Sequence, residues 1–456
     1  MTSRAPLLAL AALLAHAGSG CGDSGDDLAL VIRLPGDTSR LGAVSQLNLS
    51  ARRGDVALAQ ASFAAGTTRL SLAGVSFGAR TVVRLDGVDA AGAVIATGRT
   101  CPIDFQSSGM SAALYFAPTN FFAPTAGLPL VLRTRPVAAA LRDGTVAILG
   151  GADSSTVELM TPGAATFTAL PTTLAQARRQ SEGAALDGVG VLIIGGVDAT
   201  GAAIAGGELL LDSQRTLRPV TDTRLDARVG HSVSELAEGL ALVTGGRGSL
   251  TGAPLATTVL VRVFSDGTYQ INDGAPLAEA RRDHAVVVAA GTAMVFGGRG
   301  VGDGVLDSIE AFDPTTGASV AAAAIAHLTT ARAGATASLL PDNSGVLLAG
   351  GEGSAGEPLA SAEVFNPITR TTTTFTMASA RRGHSATVLD DGRVLVAGGF
   401  DAAGNALRTV ELFTSGVGFV SEVELGSARG GHSALSLCDG TVLLVGGAAT
   451  AELYTP

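Results

Sequence analysis

With 456 residues, 46% hydrophobic and only 15% charged, the chain is long and apolar enough to bury a sizeable core, which excludes disorder driven by charge. Its 30 basic residues, all arginine, stand against 40 acids, and a net charge of −10 argues against a protein that tracks nucleic-acid phosphates. Glycine, at 61 residues, is far above its ordinary share of roughly 7% and asks for an architectural explanation.

The chain opens on Arg4 followed by the apolar run Leu7 to Ala17, too short to span a bilayer and suited to a secretory signal. Two processing sites are open. Ala15-His16-Ala17 fits ordinary signal cleavage, whereas Gly18-Ser19-Gly20-Cys21 resembles the lipobox of bacterial lipoproteins and makes Cys21 the expected lipidation site. Residues 1–20 are then the signal and 21–27 a polar tether, which implies export to the bacterial envelope and a lipid-anchored chain at a membrane, the outer membrane first. Cys101 and Cys438 can bridge in an oxidising compartment or stay as two buried thiols.

Residues 28–122 carry short β-type segments at Leu28–Leu34, Val44–Ser50, Val56–Phe63, Thr68–Leu72, Thr81–Leu85, Ala93–Gly98 and Ala112–Phe116, with a hairpin turn at Asp89–Gly92. Such spacing predicts a small immunoglobulin-like β-sandwich with no titratable cluster of its own. From residue 123 to 456 the pattern changes to a repeat. Glycine doublets begin at Gly150, Gly195, Gly245, Gly297, Gly350, Gly398 and Gly446, each after an apolar run, at intervals of 45 to 53 residues.

Each repeat reads as strand, tight turn, strand, doublet, loop, third strand and short fourth strand, four strands in all. Turns such as Asp143-Gly144, Asp391-Gly392 and Asp439-Gly440 suit the positive φ of a tight hairpin. The start Ala380-Arg381-Arg382-Gly383-His384-Ser385, the doublet, and third strands such as Glu363-Val364-Phe365-Asn366-Pro367 resemble Kelch repeats of the galactose-oxidase-like kind. That resemblance covers roughly three-quarters of the chain and implies an all-β fold: a seven-bladed Kelch-type β-propeller preceded by the sandwich. Phe167, Tyr269, Phe375 and Phe419 stand where Kelch blades usually have tryptophan. The last repeat stops after its third strand, so a segment before the first, Leu128–Leu132, is expected to supply the fourth.

One arginine recurs near the start of every repeat: Arg135, Arg178, Arg228, Arg281, Arg332, Arg381 and Arg429. Six third strands carry a glutamate, Glu158, Glu208, Glu310, Glu363, Glu411 and Glu452, and the third repeat has Arg262 instead. Guanidinium and carboxylate in one register suggest a blade-joining ring of ion pairs. Three residues after the arginine stand His231, His284, His384 and His432, whereas Ala138, Ser181 and Ala335 take that place elsewhere. Symmetry spreads such histidines round a ring instead of bringing them to one ion, so inter-blade hydrogen bonding is expected and no metal.

The loops after the doublets, with Arg247, Arg299, Glu352, Glu357, Phe400 and Asp401, are the expected ligand-binding elements on a rigid scaffold. The chain is thus read as a non-catalytic envelope protein, without cofactor, that binds a protein or glycan partner. The alternative implied by the resemblance is a galactose-oxidase-like oxidoreductase or another carbohydrate-active enzyme. Its copper-radical chemistry requires a cysteine-linked tyrosine, and Tyr115, Tyr269, Tyr454 and Cys438 stand in no ligand-like context.

Overall fold

The computed structural model describes residues 13–15, 28–67, 70, 72, 78–105, 110–289, 292–313, 318, 326–341 and 345–456. The fold is all-β. Two short 3-10 turns, Ser39–Ala43 and Val301–Asp303, punctuate it. Cys21, the expected lipidation site, lies outside the described residues, as do residues 68, 69 and 71 of the expected strand Thr68–Leu72.

Residues 28–118 build two sheets. Leu28–Arg33 lies parallel to Met110–Tyr115 and antiparallel to Leu13–Ala15. The other sheet runs Val56–Ala64, Gln46–Arg53, Gly78–Val88, Val94–Arg99 and Ala117–Pro118 in spatial order, with Ile103–Phe105 also paired to Gly78–Val88. Alternation places Leu30 and Ile32 of the first sheet and Leu47, Leu49, Val83 and Leu85 of the second in one core.

The rest of the chain forms seven four-stranded antiparallel sheets. The first begins at Val137–Ala140 and ends at Thr166–Ala169; the sixth begins at Ser385–Val388 and ends at Gly418–Ser421. First strands of successive sheets lie side by side, and Ser433–Ser436 of the seventh sheet returns against Val137–Ala140 of the first. The result is a closed, propeller-like ring. Second strands such as Val146–Leu149, Val394–Ala397 and Val442–Val445 are buried on both faces, which explains their unbroken apolar runs. Alternate residues serve opposite neighbours. Ala147 and Leu149 pack on Val191 and Ile193 of the second sheet, whereas Val146 and Ile148 pack on Leu443 and Val445 of the seventh.

The seventh sheet takes its fourth strand from Phe121–Pro124, paired from Phe121 with Thr455 to Pro124 with Glu452. Leu128–Leu132, expected in that role, is not a strand. The Leu130 amide is already donated to Glu158 Oε2 at 2.6 Å, and Leu128, Leu130 and Leu132 are all exposed. The strand that closes the ring straddles residues 122 and 123, so the chain passes from one unit to the other between Pro118 and Phe121.

Cys101 and Cys438 form a disulfide with Cα atoms 4.7 Å apart, tying the N-terminal sheets to the hairpin turn of the seventh sheet. Arg99 adds an ion pair to Asp390, in the equivalent turn of the sixth, at 2.6 Å. The N-terminal unit therefore sits at the end of the ring formed by the Asp-Gly turns.

Candidate functional site

The opposite end of the strands carries the recurrent arginines. Arg281, Arg332, Arg381 and Arg429 are almost completely buried and pair with Glu310, Glu363, Glu411 and Glu452 at 2.5 to 2.7 Å. Arg178 meets Glu208 at 3.4 Å. Each pair lies within one repeat, with the glutamate on the third strand; Arg381 is also the last residue of the fifth sheet's fourth strand, so its pair with Glu411 links the fifth and sixth sheets. The carboxylate also accepts backbone amides from the segment leading to the arginine, as Glu411 does from Ala378 at 2.8 Å and Ser379 at 3.3 Å. The guanidinium also donates to the carbonyl of the first glycine of its own doublet, as Arg381 does to Gly398 at 2.8 Å.

The backbone joins every sheet to the next. The second glycine of each doublet donates its amide to the carbonyl of the next repeat's arginine, from Gly151 to Arg178 at 2.7 Å round to Gly447 to Arg133 at 2.8 Å. The first glycine is pressed against the same carbonyl. A Cβ on Gly398 would stand 2.4 Å from Arg429 O, and its φ of 60° is left-handed, so glycine is required twice over. In every repeat the arginine's carbonyl makes a joint between sheets, and the ion pair holds that carbonyl in position.

Two of the expected ring members are corrected. In the first sheet the buried arginine is Arg133, 2.9 Å from Glu158, not Arg135. The histidine position there is filled by Pro136, not Ala138. Arg135 is more than half exposed and meets Glu182 at 3.6 Å. In the third sheet the position of the glutamate is taken by Val259, paired opposite Val243, while Arg262 lies three residues further along. Arg228, 1% exposed, consequently has only carbonyl acceptors: Arg224 and Asp226 at 3.3 Å and Gly245 at 3.4 Å.

The histidines reach between sheets. Nε2 of His284 meets the Thr244 hydroxyl at 2.7 Å, that of His384 meets Thr336 at 3.1 Å, and that of His432 meets Ser385 at 2.8 Å. His231 is equally buried, without such a hydroxyl. Burial, reinforced by the neighbouring arginines, pushes all four down to about 3. Unfolding raises them toward about 6.5, so the unfolded chain takes up protons first. Stability is therefore full above about pH 6.5 and declines as pH falls toward 3. Denaturant midpoints are expected to drop between pH 7.5 and 4.5, with a shallower drop in a His284→Gln/His432→Gln variant; equal slopes would remove the histidines from this account.

Two residues past each buried arginine the backbone turns left-handed: Arg135, Gln180, Gly230, Asp283, Gly334, Gly383 and Gly431 have φ between 51° and 67°. These residues form a collar. Asp283 donates its amide to Gly230 O, Gly334 to Asp283 O, Gly431 to Gly383 O and Arg135 to Gly431 O, at 2.6 to 2.8 Å. Glycine is the natural occupant, and a non-glycine residue there costs roughly 1 kcal/mol or more. Arg135, Gln180 and Asp283 are held there all the same.

All of the collar residues except Gln180 line a cavity of about 690 Å³ at this end of the ring. Of the expected loop residues, Arg299, Glu352 and Phe400 line it, and Arg247, Glu357 and Asp401 do not. Glu357 instead accepts the Ala355 amide within its own loop, and Asp401 accepts the Asn405 amide. Glu352 binds Arg299 and Arg382, each at 2.6 Å, linking the fourth, fifth and sixth sheets. Burial works against that carboxylate's charge, yet the two guanidiniums hold it below its ordinary range. Glu182 lies on the opposite wall, where partial enclosure raises its pKa against the opposing pull of Arg135, and nearby Asp283 adds to the rise. Sequence reasoning passed over Glu182, Asp283 and Arg382, although the departures from glycine two residues after each arginine were visible.

Among the described residues no three His, Cys, Asp or Glu side chains come together as a metal-binding group. The fold defines a propeller-like ring of four-stranded sheets with a polar central cavity. No family model matches the chain, and no curated protein matches it. Among solved structures it is similar to that of YjhT, with a TM-score of 0.51 and 14% identity, over 65% of this chain and 99% of that one. At that identity the likeness is one of fold.

Proposed function

We propose that this chain is a non-catalytic binding or scaffold protein of the bacterial cell envelope: a seven-bladed Kelch-type propeller behind an immunoglobulin-like sandwich, anchored by lipid at Cys21. Its two domains are residues 28–118 and 121–456, and its partner is a protein or a polysaccharide. The observation that carries this reading is the central cavity, where charged side chains from five different sheets meet on one open face. That face lies at the opposite end of the ring from the N-terminal unit.

The oxidase alternative draws no support from the side chains it would need. Cys438 is bonded to Cys101, Tyr115 and Tyr454 are buried, and the Tyr269 hydroxyl accepts the Thr221 amide at 3.1 Å. Affinity capture from an envelope extract tests the binding reading. Wild-type protein is expected to retain a partner that a Glu352→Ala/Phe400→Ala variant loses, and equal recovery by both would discard it. Copper titration is expected to give no tight stoichiometric uptake; uptake with oxidase activity would revive the alternative.

A further inference from the structure

The charges of the cavity are not spread evenly. On one wall Arg299 and Arg382 share the single carboxylate of Glu352. The Arg382 Nε has no hydrogen-bond partner, although it is buried. On the other wall, carried by the second sheet, Glu182 accepts no hydrogen bond from the described residues. Its nearest cation is the exposed Arg135, at 3.6 Å. Asp283 stands beside it at the collar, already bound from behind by Arg282. Glu182 is about one-third open to the cavity, so a ligand can reach it.

A carboxylate held only by an exposed arginine at 3.6 Å, facing two guanidiniums that share one carboxylate, is complementary to a molecule carrying both charges. Each unmet group costs free energy in a partly enclosed space until it is paired. Collar geometry adds an independent sign: Arg135 and Asp283 keep charged side chains at left-handed positions where four of the seven sheets use glycine. The volume, about 690 Å³, is that of a site for a molecule larger than one amino acid.

We propose that the cavity binds a short peptide with both termini free, its ammonium at Glu182 and Asp283 and its carboxylate at Arg299 and Arg382. This rests on the cavity being a binding site and names the chemistry that it selects. The Phe400 ring, packed on the backbone of Gly430, lies beside the arginine wall and offers an apolar surface to side chains of the ligand.

Calorimetric titration of the full chain with tetra-alanine tests the assignment. The free peptide is expected to bind, and the N-acetylated and C-amidated forms about tenfold or more weakly, the worth of one charge-assisted hydrogen bond. In Glu182→Gln the penalty for acetylation disappears while that for amidation stays; in Arg382→Gln the reverse holds. Should either variant unfold early, Glu182→Asp and Arg382→Lys keep the charge and are expected to preserve both penalties. No binding of free tetra-alanine, equal binding of the blocked forms, or penalties unchanged in the variants would each overturn the proposal. If tetra-alanine fails while the Glu352→Ala/Phe400→Ala variant still loses its partner, the cavity remains a binding site and only the zwitterionic ligand is discarded.

Discussion

Arg381→Met is expected to lower the free energy of unfolding by about 3–5 kcal/mol, whereas Arg135→Met changes it by no more than about 0.5 kcal/mol. The two arginines look alike in the sequence, and their surroundings separate them. Arg381 is fully buried and donates to Glu411, to Gly398 O at 2.8 Å and to Thr409 O at 3.0 Å. Methionine fills part of the space but leaves the Glu411 carboxylate buried without its cation and two carbonyls without a donor. It also loosens the segment whose carbonyl receives the neighbouring doublet. Arg135 has water around more than half of its side chain and a contact of 3.6 Å, so its loss is screened. Denaturant unfolding of both variants at pH 7 makes the comparison, and similar midpoints would sink the assignment of Arg381 as a structural joint.

Removing the bridge between Cys101 and Cys438 is expected to cost about 2–5 kcal/mol. The two residues are 337 positions apart, so the bond restricts a very long loop in the unfolded chain. It also fastens the N-terminal unit to the same sheet that receives Phe121–Pro124, and that sheet thereby has two covalent routes to residues 28–118. A Cys101→Ser/Cys438→Ser variant, or the wild-type chain under reductant, should unfold at lower urea concentration and with a steeper slope, because the unfolded chain is then free to expand. Coincident midpoints for oxidised and reduced protein would refute the effect.

Much of the ring was legible because repetition multiplies weak signals. Any single Gly-Gly is uninformative, yet its recurrence after an apolar run gives the second strand and doublet of each sheet. Blurring began where a repeat departs from its neighbours. In the first repeat Arg133 and Arg135 both fit the local spelling, and only the packing against Glu158 separates them. In the third, Val259 hides in an apolar run, and the visible charge of Arg262 drew attention to the wrong position. Leu128–Leu132 has the composition of a strand, but the Leu130 amide is claimed by a carboxylate that the sequence places 28 residues away. The cavity was the least legible part. Its walls collect Glu182, Asp283 and Arg382 from separate sheets, and their meeting is a product of ring closure that spacing along one repeat does not reveal.

The strand Phe121–Pro124 sets an order of events for the making of this molecule. Asn120, just before it, accepts the hydroxyl of Tyr454 from 334 residues away. During synthesis the six intervening sheets emerge first, and the strand made before them waits with its hydrogen-bonding edge uncovered until Glu452–Thr455 arrives. Late pairing over such a distance is slow, and an uncovered edge invites other chains. The edge stays open to other chains until the last step of folding, and a chain cut short of residue 452 is expected to associate with its own kind through that waiting strand.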